Sequence, residues 1–182
     1  MAVWRVLLTL SATLLPTSGV VGVDASGFDR SHASKHYTKR AELTIQQLKV
    51  TLLADTRVNA IIDLHVTTTR KHDSQIAPSL IKRNLEHIDV LLGDKGYDDQ
   101  KIRRLARQHD VRPLIKHREF TSLHKAWNAR LEANLYGQRS QSETVNSTLK
   151  RKYGAFVRSR RWWKQFRELT IACLIHNLDR SL

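Results

Sequence analysis

Three acidic residues and a short basic series stand where a phosphodiester and a cation could be held together. Asp24 closes the apolar run 20–23 and Asp94 follows the run 90–93, so both sit at the ends of strand-like segments. A glycine lies within three residues of each, Gly27 and Gly96, which permits a tight turn and the close approach of a ligand. Tyr136, Arg139, Glu143 and Lys150 are spaced by 3, 4 and 7. At about 100° per residue they share roughly 60° of a helix surface, with Val145 and Leu149 on the opposite, burying side. A carboxylate between Arg and Lys suits a metal site beside a phosphate, the acid taking the cation and the bases the backbone. Two or three carboxylates around one pocket are what two-metal phosphoryl transfer needs. Hard cations such as Mg²⁺ take oxygen ligands, and a pair about 3.5–4 Å apart activates an attacking water or 3′-hydroxyl and stabilises the leaving oxygen.

A plainer reading stands beside each of these. Either Asp alone serves as a turn or helix N-cap residue. Ser140-Gln-Ser-Glu143 is also a capping box, and Gly137 sets the helix start near Arg139, leaving Tyr136 on the entering loop. Other chemistries lack their motifs: there is no Walker A loop, G-x-S-x-G elbow or H-E-x-x-H. The pairs His32/His36, His65/His72 and His117/His124 have no partnered ligand set and read as surface or hydrogen-bonding residues. A single cysteine, Cys173, excludes an internal disulfide framework and a cysteine zinc cluster.

The elements that must position the acids alternate strand-like and helical periods. Residues 20–28, 43–54 and 60–68 read as strands, the first running into a glycine turn and the last two joined by the polar turn 55–59. Helical spacing marks 73–84, through Ile76, Leu80, Ile81 and Leu85, and 98–109, through Ile102, Leu105 and Ala106. Short strands fall at 88–92 and 111–115, and closing helices at 141–153 and 162–178. Residues 117–138 show no regular pattern. The order implies one α/β domain over residues 1–182, a mixed sheet of three antiparallel strands followed by βαβ units, flanked by helices. Trp162, Trp163 and Phe166 head a helical face continued by Leu169, Cys173 and Leu178, which reads as core rather than as a base-stacking platform.

Charge separates the two halves. The 182 residues carry 31 Lys/Arg against 17 Asp/Glu, a net +14. Residues 1–100 hold 12 basic and 11 acidic side chains, net +1, which leaves 19 and 6, net +13, for 101–182. The densest run, Lys150 to Arg167, has eight bases and no carboxylate. That field favours a polyanion, most commonly a phosphate backbone, and makes Lys150, Arg151, Lys152, Arg158, Arg160 and Arg161 candidate DNA contacts. The first fifteen residues, with Arg5 ahead of an apolar stretch, have the outline of a signal peptide and are too short to span a bilayer. The competing reading makes them a short helix ending near Pro16, ahead of the strand that carries Asp24.

Three pieces together resemble a known family: Val23-Asp24-Ala-Ser-Gly27-Phe28, Gly93-Asp94-Lys95-Gly96-Tyr97-Asp98 and Tyr136-x2-Arg139-x3-Glu143-x6-Lys150. They look like the DDE transposases of insertion sequences, in the IS4/IS5 group, whose hallmark is a Y-R-E-K signature around the catalytic Glu. Arg112 to Phe120 and Arg161 to Leu169 are similar to the archaeal branch of that group. The resemblance covers the chain from about Trp4 and implies an RNase H-like fold. It implies that Asp24, Asp94 and Glu143 bind two Mg²⁺ or Mn²⁺ and run strand cleavage and strand transfer. Tyr136, Arg139 and Lys150 would position DNA near the scissile phosphate. The implied partners are insertion-sequence ends and target DNA, bound by a homodimer in the cytoplasm at the nucleoid, with no membrane. Members normally carry a DNA-binding region ahead of the first Asp, and its absence here suggests an N-terminally truncated chain. The alternatives are a catalytically silent DNA-binding remnant and a secreted basic protein.

Overall fold

The computed structural model describes residues 2–30, 47–68 and 71–182. Helix α1 (Ala2–Ala12) leads into strand β1 (Val20–Asp29), followed by β2 (Gln47–Asp55) and β3 (Ile61–Thr67). Then come α2 (Asp73–Lys82), β4 (Val90–Gly93), α3 (Gln100–Arg107) and β5 (Arg112–Ile115). Two short helices, α4 (Ser122–Ala129) and α5 (Ala133–Gly137), precede α6 (Ser140–Tyr153) and α7 (Trp162–Ser181).

The strands form one five-stranded sheet in the order β3-β2-β1-β4-β5. β1 pairs antiparallel with β2 and β2 with β3, while β4 pairs parallel with β1 and β5 with β4. This is the mixed, helix-flanked sheet that the sequence reading and the RNase H-like resemblance both call for. Alternation along the strands sends side chains to two cores. On one face Phe28, Leu52 and Leu64 pack with Val145 and Leu149 of α6 and Phe166 and Cys173 of α7. On the other, Val21, Val23 and Leu91 pack with Leu80 and Ile81 of α2 and Ile102 and Ala106 of α3.

The N-terminal segment with the outline of a leader is built into the first core. Leu8 is fully buried there, and Ser11 Oγ accepts a 2.9 Å bond from Asn177 Nδ2. The same Asn177 amide bridges Ile61 N and O at 2.8 Å, tying α7 to the start of β3. Among the described residues no helix is long and apolar enough to cross a membrane.

Several expectations need correction. β1 does not turn at Gly27, which lies inside the strand opposite Lys49. The expected strand 43–54 is described only from Gln47 and ends at Asp55; residues 43–46, like His32 and His36, lie outside the described residues. The stretch 117–138 is not irregular, since it holds α4 and α5. Phe166, Leu169 and Cys173 are core, but Trp162 and Trp163 are 36% and 48% exposed and Leu178 is exposed as well. The two tryptophans begin α7.

Candidate active site

The parallel pairing sets a row of chemistry at the strand ends. Gly22 of β1 is level with Leu92 of β4, so two residues further on Asp24 is level with Asp94. Gly93 is level with Ile115 of β5, which puts Lys116 beside Asp94 in the same row. Ligand crevices of open α/β sheets form at the carboxyl ends of strands. Asp24 and Asp94 are each half-buried.

Asp24 points to the face covered by α6. Its Oδ2 accepts a 2.9 Å bond from Asn146 Nδ2. Burial pushes the Asp24 carboxyl above its ordinary range, the N–H groups of Asn146 and Ala25 pull the other way, and the Glu143 and Asp94 charges add to the rise. One carboxyl thus feels acids from two other elements. Asp94 caps the 3₁₀ turn Lys95–Tyr97, its Oδ1 accepting from Gly96 N at 2.7 Å. The buried Tyr97 hydroxyl has no hydrogen-bond partner among the described residues, and burial followed by Asp73, Asp24 and Asp94 drives its pKa upward.

α6 comes close to β1 because residue 22 is glycine. A Cβ there would meet Ser142 Oγ at 2.0 Å and Thr56 Cγ2 at 3.2 Å. Ser142 and Asn146, one turn apart on α6, are 3% and 4% exposed, while Glu143 between them opens to solvent. Glu143 Oε1 pairs with Arg139 Nη1 at 2.8 Å. The capping-box reading fails, because Ser140 Oγ donates to Gly137 O rather than accepting from Glu143 N. Burial acts to lower the Arg139 pKa, but partnership with Glu143 outweighs it and the guanidinium is raised.

Tyr136 lies within α5 rather than on a loop, and its hydroxyl donates to Gly93 O at 3.3 Å. Lys116 Nζ lies 5.1 Å from the centre of the Tyr136 ring, and Lys150 Nζ 5.3 Å from that of Phe28, four residues past Asp24. Tyr136, Arg139 and Glu143 therefore lie near the two aspartates, while Lys150 lies further along β1 at Phe28. The rest of the basic run continues outward. Arg151, Lys152, Arg158, Arg160 and Arg161 are exposed, with Lys152 held by Asp179 at 3.2 Å. Glu168 caps the 158–159 backbone, accepting from Arg158 N and Ser159 N. Lys164 and Arg167 lie over the exposed Trp163 ring at 5.4 and 5.5 Å.

Two site residues were missed by reading charges alone. Asn146 stands three residues after Glu143 and four before Lys150, on the same helical face, and that spacing was the available signal. Lys116 was signalled by its place one residue past β5, the counterpart of Asp94 past β4. Among the described residues no three His, Cys, Asp or Glu stand close enough to hold a metal ion. Glu143 is instead paired with Arg139.

A family model described as a transposase DDE domain matches residues 16–178 of this chain. No curated protein matches it. Among solved structures, one chain of a simian T-cell lymphotropic virus intasome in complex with PP2A regulatory subunit B56 gamma is similar, at 12% identity and a TM-score of 0.47. That match covers 84% of the present chain and 46% of the matched one.

Proposed function

The chain belongs to the transposase DDE domain family, and from that premise we propose that it cleaves DNA at the ends of an insertion sequence and joins the freed 3′-hydroxyl to a target. The observation that carries this reading is the electrostatic meeting of Asp24, Asp94 and Glu143, drawn from β1, the end of β4 and α6. The donor set suits Mg²⁺ or Mn²⁺: three carboxylates, with Asp24 and Asp94 held, among the described residues, by neutral N–H donors. Two such ions, when bound, activate the attacking oxygen and stabilise the leaving one.

The chain's own residues do the rest. Asp24 and Asp94 present their carboxylates from the sheet, and Glu143 completes the set by turning away from Arg139. Arg139, once released, joins Lys116 and Lys150 in holding phosphates on either side of the acids, and Tyr136 braces the Gly93 turn on which Asp94 is mounted. Arg151, Lys152, Arg158, Arg160 and Arg161 extend the cationic track along the duplex. The Y-R-E-K spacing supports membership of the IS4/IS5 group and a homodimer on the element's ends.

Nicking of supercoiled plasmid in Mn²⁺ tests the assignment. Asp94→Ala and Glu143→Ala are each expected to lose activity by roughly 10²-fold or more, since even an outer-shell partner of a metal costs 10–100-fold. Wild-type nicking by both variants would overturn it.

The Arg139–Glu143 pair favours a second reading, a DNA-binding remnant that does not cut. It predicts salt-dependent duplex binding with no nicking. Replacing Lys150, Arg151, Lys152, Arg158, Arg160 and Arg161 with Ala would then flatten the slope of log K against log salt. An unchanged slope would place the DNA elsewhere.

A further inference from the structure

We propose that Asn146 is a positioning residue that holds the Asp24 carboxylate in the orientation in which it takes a divalent cation. This rests on the reading of Asp24 as a metal-binding acid. Asn146 is a poor choice for its place on every local ground. It sits inside α6, where asparagine ranks low as a helix former. It is 4% exposed, so its amide is desolvated, and its Oδ1 has no hydrogen-bond partner among the described residues. A leucine would fill the same volume without a stranded carbonyl. The one visible return is the 2.9 Å bond from Nδ2 to Asp24 Oδ2.

The chemistry of that donor is specific. An amide N–H fixes a carboxylate oxygen without neutralising it, whereas a Lys or Arg in its place would compete with a cation for the same charge. Asp94 is held in the same way, by the neutral N–H of Gly96. Asn146 also shares the helix face of Glu143, so one turn of α6 supplies an acid to the pocket and a bracket for the acid opposite. Gly22 sets the depth at which that turn sits, since any side chain there would push Ser142 and its neighbours outward.

Mn²⁺ binding by calorimetry on the full chain without DNA tests this, comparing wild type, Asp24→Asn, Asn146→Leu and Asn146→Ala. Thermal melts in EDTA establish that each variant folds. Both Asn146 variants should bind Mn²⁺ about 10–100-fold more weakly. The Mn²⁺ needed for half-maximal nicking should rise by the same factor, with a smaller change at saturating Mn²⁺ and unchanged duplex affinity in EDTA. Binding lost in Asp24→Asn but unaltered in the folded Asn146 variants would overturn the role of Asn146 alone. A wild-type chain that binds no Mn²⁺, or an Asp24→Asn variant that binds it fully, would overturn the reading of the acids and this inference with it.

Discussion

Asp55 and Asp63 are buried more deeply than Asp24 and Asp94, yet they carry no sign of chemistry. Asp55, wholly buried, accepts from Ser18 N and Oγ and from Arg57 N and Val58 N at 2.6–3.1 Å. Asp63, 3% exposed, accepts from Leu64 N, from Arg83 Nε and Nη2, and from Asn84 Nδ2. Their lone pairs are used up, and Arg83 cancels the charge of Asp63 at 2.8 Å. Among the described residues Asp24 and Asp94 accept fewer hydrogen bonds, from neutral donors, and face other acids. Burial alone therefore does not distinguish the candidate site in this fold. Incomplete satisfaction beside like charge does.

Substitutions should separate the two environments. The largest effect on stability belongs to Asp63→Ala, which strands Arg83 and the buried Asn84 amide. It should cost about 3–5 kcal/mol, lowering Tm by roughly 10 °C at 2–4 °C per kcal/mol. A change below 2 °C in a thermal melt would contradict the structural role. Next comes Gly22→Ala, where the added methyl group meets Ser142 and Thr56; overpacking of this kind costs about 1–3 kcal/mol. Ser142→Ala in the same chain should recover part of it, and a double-mutant cycle in urea reads the coupling. Strict additivity would mean that α6 does not depend on this contact.

The smallest effect is the pH dependence at Asp24. Its folded-state pKa lies above the ordinary 3.8, chiefly through burial. The folded protein thus keeps that proton to higher pH than the unfolded chain, and stability falls as pH rises from 3.8 through the raised value. Asp24→Asn removes the loss, so the variant should gain stability relative to the wild type as pH rises. Melts at pH 4 and 7 that show a constant gap would refute the shift.

The sheet and the major helices were legible because β1 to β5 carry compact apolar, β-branched-rich runs bounded by polar turns, and α2 and α3 keep the 3.6 period. α4 was not, because it is only eight residues long and its apolar residues Leu123, Ala126 and Trp127, though at helical spacing, are not buried. It is held instead by Thr121, whose side chain accepts from His124 N, and by Asn128, which bonds His117 N and O. His117 and His124 stack at 5.7 Å. These are contacts between residues a few positions apart that no hydropathy pattern records. The three acids and the Tyr136–Lys150 series were legible from spacing. Asn146 and Lys116 carried only a positional signal, because a neutral amide and an isolated lysine acquire meaning only when the fold sets them beside the acids.

The bond between Asn146 and Asp24 joins residues 122 positions apart, and that separation gives the pocket a schedule. At synthesis rates of about 5–20 residues per second, Asp24 and Asp94 leave the ribosome several seconds before the helix that supplies Glu143 and Asn146. A nascent chain holding both aspartates thus lacks the bond that fixes the Asp24 carboxylate, which forms only once α6 has emerged.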